Sequence, residues 1–313
     1  MPFRQELGLY ALALVLRLVA AWGPPVGDER WLYVFRGLGS FGDIHPPLFY
    51  LLMTPAQALL GNAPQLVLPF LTAAGAVLAA RVGGVWLGLM VAASPALTVL
   101  DGYARPQALA PLAFLAGVLG LRKSRPWLVL GSALVLVWLR LDLLPVALAL
   151  LALGGRRVLQ ALAKHPGRTS VYLALWLLLL PYALAELGTA RAIVHAVGDR
   201  AISTPARYLS FLVSGQEALL PPALSAALLF PAFLASLRRK DLWAAWLPSP
   251  LHLALAPRPA YASLPALGLA AAAAALPLPL RRALFLVSLA LAALAAWNMH
   301  LTRLAEGLPL PPS

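Results

Sequence analysis

Apolar runs recur along the whole chain, at roughly 7–22, 64–80, 84–100, 106–121, 126–140, 142–155, 169–187, 218–236, 241–256, 262–276 and 283–300. Only short polar segments separate them. Hydrophobic residues make up 61% of the sequence and charged residues 11%, too little polarity to cover the surface of a water-soluble globule. Mean hydropathy is +0.83. The fold class implied is all-α, a polytopic integral membrane protein of about eleven transmembrane helices, because a helix satisfies its own backbone in lipid. The prolines fall mostly at segment ends, and those inside apolar runs imply kinks. No composition break, linker or fixed-period repeat divides the 313 residues, so one membrane domain, 1–313, is expected, without a separate soluble domain. Leu7 to Trp22 also resembles a signal peptide, with Val19-Ala20-Ala21 near its end. Arg17 interrupts the run and further spans follow, which favours a retained first helix.

Charge orients the chain. The run Pro46–Leu60 has 15 residues, short of the roughly 20 a span needs. If it lies at the surface as a juxtamembrane helix and the N-terminus is cytoplasmic, the inner loops collect Arg4; Arg81; Arg122, Lys123 and Arg125; Arg156, Arg157, Lys164 and Arg168; Arg238, Arg239 and Lys240; and Arg281 and Arg282. That places 14 of the 24 basic residues inside, against only Glu6 and Asp241 among the acids. If the run crossed, "RKSR" at 122–125 would move outside and the asymmetry would collapse. The formal charge of +13 is therefore explained by orientation, and no basic cluster interleaved with aromatics calls for nucleic acid. The absence of cysteine excludes disulfides, thiol catalysis and thiolate metal sites. Arg outnumbers Lys 21 to 3, a bias that hints at a GC-rich bacterial source, so the expected location is a bacterial inner membrane.

The opposite face then carries nine acids (Asp28, Glu29, Asp43, Asp101, Asp142, Glu186, Asp199, Glu217, Glu306) and nine arginines (Arg30, Arg36, Arg105, Arg140, Arg191, Arg200, Arg207, Arg258, Arg303), leaving Arg17 inside the first helix. Balanced opposite charge at one face reads as a polar cavity. Within the first outer loop, 23–63, "GDER" places Asp28 and Glu29 after the first span. Such a carboxylate can act as general base, and Asp28 also reads as the N-cap of the amphipathic turn that follows. "HPPLFYLL" puts His45 at the entry to a proline-started helix, as a phosphate or sugar contact or as an interfacial residue. Arg105 in "DGYARPQAL" stands at a helix start, where a guanidinium and free N–H groups suit a phosphate or a headgroup. "APRPAY" repeats that logic with Arg258 and Tyr261. Arg140 and Asp142 in "LRLD" lie close enough to pair with each other. Arg207 belongs to the long outer loop, 188–217.

At these residues the chain resembles the polyprenyl-phosphate-dependent GT-C glycosyltransferases, of the protein O-mannosyltransferase and aminoarabinose transferase kind. The shared features are the Asp28-Glu29 pair in the first outer loop, then "DIHPPLFYLL", a serine-proline helix end with an arginine element in "ASPALTVLDGYARPQAL", and "RPAYASLP" at 258–265. Their order runs across residues 1 to about 280. The resemblance implies a lipid-linked sugar donor and an acidic loop residue as catalytic base (Asp28, with Glu29 second). No cluster of divalent-metal ligands is evident in the sequence, so no metal or other cofactor is expected. The 313 residues are few for that group, and no C-terminal soluble domain is expected within them. "GDER" also lacks the aromatic residue that often follows the acidic pair.

The expected function is transfer of a sugar from a polyprenyl phosphate to an acceptor (protein, lipid or glycan) at the extracytoplasmic face. His45, Arg105, Arg258, Tyr261, Arg140 and Arg207 would bind substrate. Two rivals use the same residues: a transporter or flippase of lipid-linked sugars, which should carry polar residues at mid-membrane, and a non-catalytic GT-C-like scaffold subunit whose outer acids only cap helices. Nothing places a base beside a serine in the manner of a protease or acyltransferase.

Overall fold

The computed structural model describes residues 2–24, 26, 48–61, 63–103, 105–181, 183–184, 205–216, 219–236, 242–247 and 262–306. Among them every regular element is helical: α1 Phe3–Ala21, α2 Leu48–Leu60, α3 Val67–Gly83, α4 Val85–Ala92, α5 Pro95–Gly102, α6 Ala110–Arg122, α7 Pro126–Leu139, α8 Leu144–Lys164, α9 Pro166–Leu177, α10 Pro205–Ser214, α11 Pro222–Ser236, α12 Ser263–Ala274 and α13 Leu278–Glu306, with short 3-10 turns at Pro64–Leu66, Pro106–Leu109, Leu141–Leu143 and Trp243–Trp246. Proline starts many of them, because its fixed φ suits the first turn and its missing N–H is not needed there.

Length separates these helices. Leu141–Lys164 and Leu278–Glu306 are each long and apolar enough to cross a membrane, and α4 with α5 forms a third candidate bent by 57°. Several of the others are apolar but only 10–17 residues long, since glycine and proline interrupt the runs. The expected run over 84–100, with Pro95 inside it, is bent and divided into two helices. The chain breaks at Ala93-Ser94, where the Ser94 hydroxyl caps α5 by accepting from Leu97 N–H at 3.5 Å. "ASPAL" thus follows the end of α4 at Ala92 and also opens α5 at Pro95. The expected run 142–155 continues to Lys164 past a non-helical Gly155, and the segment beyond it buries Val158 and Ala161 while exposing Arg156 and Arg157, the pattern of an interfacial helix. Residues 205–214, expected within an outer loop, are helical.

One continuous core runs through α1, α3–α8 and α12, built from alanine and leucine. Small residues let the backbones approach, which suits packing where lipid offers no contrast to leucine. Side-chain contacts tie the helix ends into two groups. At one end Arg81 pairs with Glu6, Arg122 donates to Val82 O, Arg157 donates to Ser124 Oγ at 2.8 Å, and the guanidiniums of Arg168 and Arg281 lie over the rings of Trp127 and Trp86 at 5.9 and 5.2 Å. These are basic residues that charge asymmetry assigns to one side, and this is the basic end. The opposite end gathers the C-termini of α1, α5 and α13.

Candidate functional site

At the opposite end the structure is organised by two buried arginines. Arg17, on α1, is 1% exposed and donates from Nε to Asp101 Oδ2 of α5 at 2.5 Å. Its Nη1 reaches Ala13 O at 3.2 Å, and its Nη2 reaches Val91 O at 3.3 Å. Val91 belongs to the last turn of α4, whose carbonyls lose helical partners at the bend. One guanidinium therefore bonds both halves of the broken helix, a carboxylate beyond the break and a carbonyl before it. The sequence reading placed Asp101 among the charges of an outer cavity. It is 2% exposed and lies inside the bundle, because an arginine in an apolar helix requires a partner there.

Arg303, also assigned to the outer cavity, is fully buried. It donates from Nε to Ala20 O at 2.9 Å, from Nη1 to Pro24 O at 2.9 Å and from Nη2 to Gly102 O at 2.7 Å. It thus caps the carbonyls that end α1 and α5 and fixes α13 to both. Gly23, at φ +128°, permits this approach: a Cβ there would stand 2.9 Å from Arg303 Cβ. His300 Nδ1 lies 2.7 Å from Trp22 O, and Gln65 Nε2 donates to Gly23 O at 2.9 Å.

Tyr103 follows directly. Its ring lies under two guanidiniums, Arg105 at 5.2 Å and Arg303 at 5.9 Å. On the inner side it packs against a small cluster of Ala20, Val26, Ala296 and Met299. Arg105 is half-buried and precedes the Pro106–Leu109 turn that leads into α6. The half-buried guanidinium, stacked on an aromatic face next to a helix entry, is suited to an anionic oxygen.

Two other sequence candidates are described. Arg140 ends α7, is largely buried, and donates from Nε to Asp142 Oδ1 at 2.7 Å, so the pairing anticipated in "LRLD" forms. Arg207 is exposed on α10, beside a fully buried Tyr208. That helix packs on α5 and α13, and Gly215 just after it, at φ +72°, lies so close to Pro95 that a Cβ would stand 2.9 Å from the Pro95 carbonyl. The chain then folds back, with Ser210 Oγ donating to Gln216 O at 2.8 Å and accepting from Leu220 N–H at 3.1 Å. Pro95 stands about 10 Å inside the rim marked by Gly102, seven residues of helix away, so α10 carries the chain inward to the break.

Asp28, Glu29, His45, Arg258 and Tyr261 lie outside the described residues. Among the described residues no group of three or more His, Asp or Glu side chains is arranged to hold a metal ion. Sequence reasoning missed the Arg17–Asp101 pair, the capping role of Arg303 and the ring shared by Arg105 and Arg303. The first had a signal, since a lone charge inside an apolar run demands a partner. No family model, no curated protein and no solved structure matches this chain.

Proposed function

We propose that this chain is a multi-pass membrane glycosyltransferase of GT-C type. It moves a sugar from a polyprenyl-phosphate donor to an acceptor at the extracytoplasmic face of a bacterial inner membrane, and about eleven helical segments, some broken, form its membrane domain. The observation that carries the reading is the position of Val26. It packs in the cluster that supports Tyr103, whose ring holds Arg105. Asp28 follows Val26 by two residues, a covalent reach of about 7 Å. This proximity in sequence supports a reading in which the acidic pair works beside the half-buried arginine.

In the proposed reaction the donor's hydrocarbon chain stays in lipid and its phosphate meets Arg105 and Arg258, with Arg140, Arg207, His45 and Tyr261 contributing to binding. Asp28, with Glu29 as second candidate, takes the proton from the acceptor hydroxyl or amine. The acceptor forms a bond to the anomeric carbon as the carbon–oxygen bond to phosphate breaks, with inversion at that carbon. The electron pair leaves on the phosphate, where guanidiniums held in advance stabilise the charge most in the transition state. No metal or cofactor takes part. Membranes containing the Asp28→Asn chain, supplied with lipid-linked donor, should lose transfer by about two orders of magnitude or more. Near-normal transfer would remove the base assignment.

One observation favours a second reading, a transporter or flippase of lipid-linked sugar. The bend between α4 and α5, bridged by a buried ion pair, is the kind of discontinuous helix found at transport sites. Movement of intact donor across the bilayer without a new glycosidic bond would select it.

A further inference from the structure

The basic end contains an open cavity of about 500 Å³ between α1, α3 and the turn joining α6 to α7. Gln5, Glu6, Arg81, Gly84, Val85 and Lys123 line it. Arg81 donates Nε and Nη2 to the two oxygens of Glu6 at 2.9 and 2.7 Å, which leaves its Nη1 donors unengaged among the described residues. The Lys123 side chain is exposed and makes no hydrogen bond or ion pair among them, whereas its neighbour Arg122 is turned to Val82 O. Two cations face one carboxylate, so the cavity has a formal surplus of one positive charge. At Gly84 a Cβ would meet nothing within 4 Å, which leaves that wall open. Beside the cavity the surface is greasy: Phe3 is 76% exposed, Leu7 54% and Val85 37%.

We propose that this cavity holds the phosphate headgroup of an anionic phospholipid from the leaflet at the basic end, with the acyl chains lying along the exposed apolar residues of α1. Basic pockets between helices at this depth suit such headgroups, because charge and hydrocarbon are recognised together. A soluble phosphate would satisfy Lys123 and Arg81 but leave the apolar flank unused. The site stands apart from the sugar-transfer reading and survives its failure.

The test uses the full chain in maltoside detergent, with phosphatidylglycerol as the probe and diacylglycerol as the neutral control, and bound lipid is counted by native mass spectrometry. Phosphatidylglycerol binds and diacylglycerol does not. Lys123→Gln weakens binding about fivefold, the effect of one surface cation. Glu6→Gln removes the competing carboxylate, releases Arg81 and tightens binding. A merely structural role for the Glu6–Arg81 pair would weaken it, so the opposite signs of the two variants separate the site from a folding defect. Equal binding in all three chains, or weakening in both variants, overturns the site. Displacement of the lipid by excess inorganic phosphate overturns the lipid as its occupant.

Discussion

Arg17 and Asp101 are buried at 1% and 3% side-chain exposure and sit 2.5 Å apart, and their burial decides what each substitution does. Removing one partner strands the other charge in a dry interior, which costs about 3–5 kcal/mol, whereas replacing both with apolar residues of similar size is close to neutral. Arg17→Met alone should lower the thermal midpoint of the detergent-solubilised protein by several degrees, and the double substitution Arg17→Met with Asp101→Leu should recover most of the loss. A double variant as unstable as the single one would show that the pair, and not only its isolated charge, holds the bend. Glu6 behaves differently because it stands before the apolar run. Hydrogen bonding from Arg81 holds its carboxyl below the ordinary glutamate range. The α1–α3 tether is therefore complete above the usual glutamate pKa and is lost as pH falls through the lowered value. Hydrogen exchange at residues 3–8 should speed up over that acidic window, and Glu6→Gln should abolish the change.

Elements show which parts of the fold were legible in the sequence. Positions of apolar runs translate directly into helices such as α3, α6 and α7, since hydropathy and proline punctuation act locally. The bend between α4 and α5 was legible only as a kink at Pro95 and not as a full break, because "MVAASPALT" carries no polar gap long enough to mark one. It is stabilised instead by Arg17 from another helix. The helix α10 was hidden for a similar reason: its amphipathic sequence reads as loop until Gly215 is seen against Pro95. Of the candidate site, Arg105 was readable from its place before Pro106, but its aromatic support came from Tyr103 and the distant Arg303. Gly215→Val should strain both the positive φ and the contact with Pro95, costing about 1–3 kcal/mol. Limited proteolysis within 205–214 should accelerate severalfold, and unchanged cleavage would mean that α10 does not depend on the seat at Pro95.

Across the whole molecule, two unlike ends face each other through an alanine-leucine interior. One end is basic and surface-paired, and the other is closed by buried arginines and adjoins the entry to the acidic segment 27–47. The proposed sugar transfer requires these ends to lie on opposite sides of the membrane, with the acidic segment outside, where donor and acceptor would meet. The sequence has no cysteine, so single cysteines report position without further changes. Ser40→Cys lies in the acidic segment, and Ala163→Cys is exposed at the far end of α8. In intact cells a membrane-impermeant maleimide should label Ser40→Cys at once and Ala163→Cys only after permeabilisation. The reverse pattern, with position 40 protected and position 163 labelled from outside, would contradict the account.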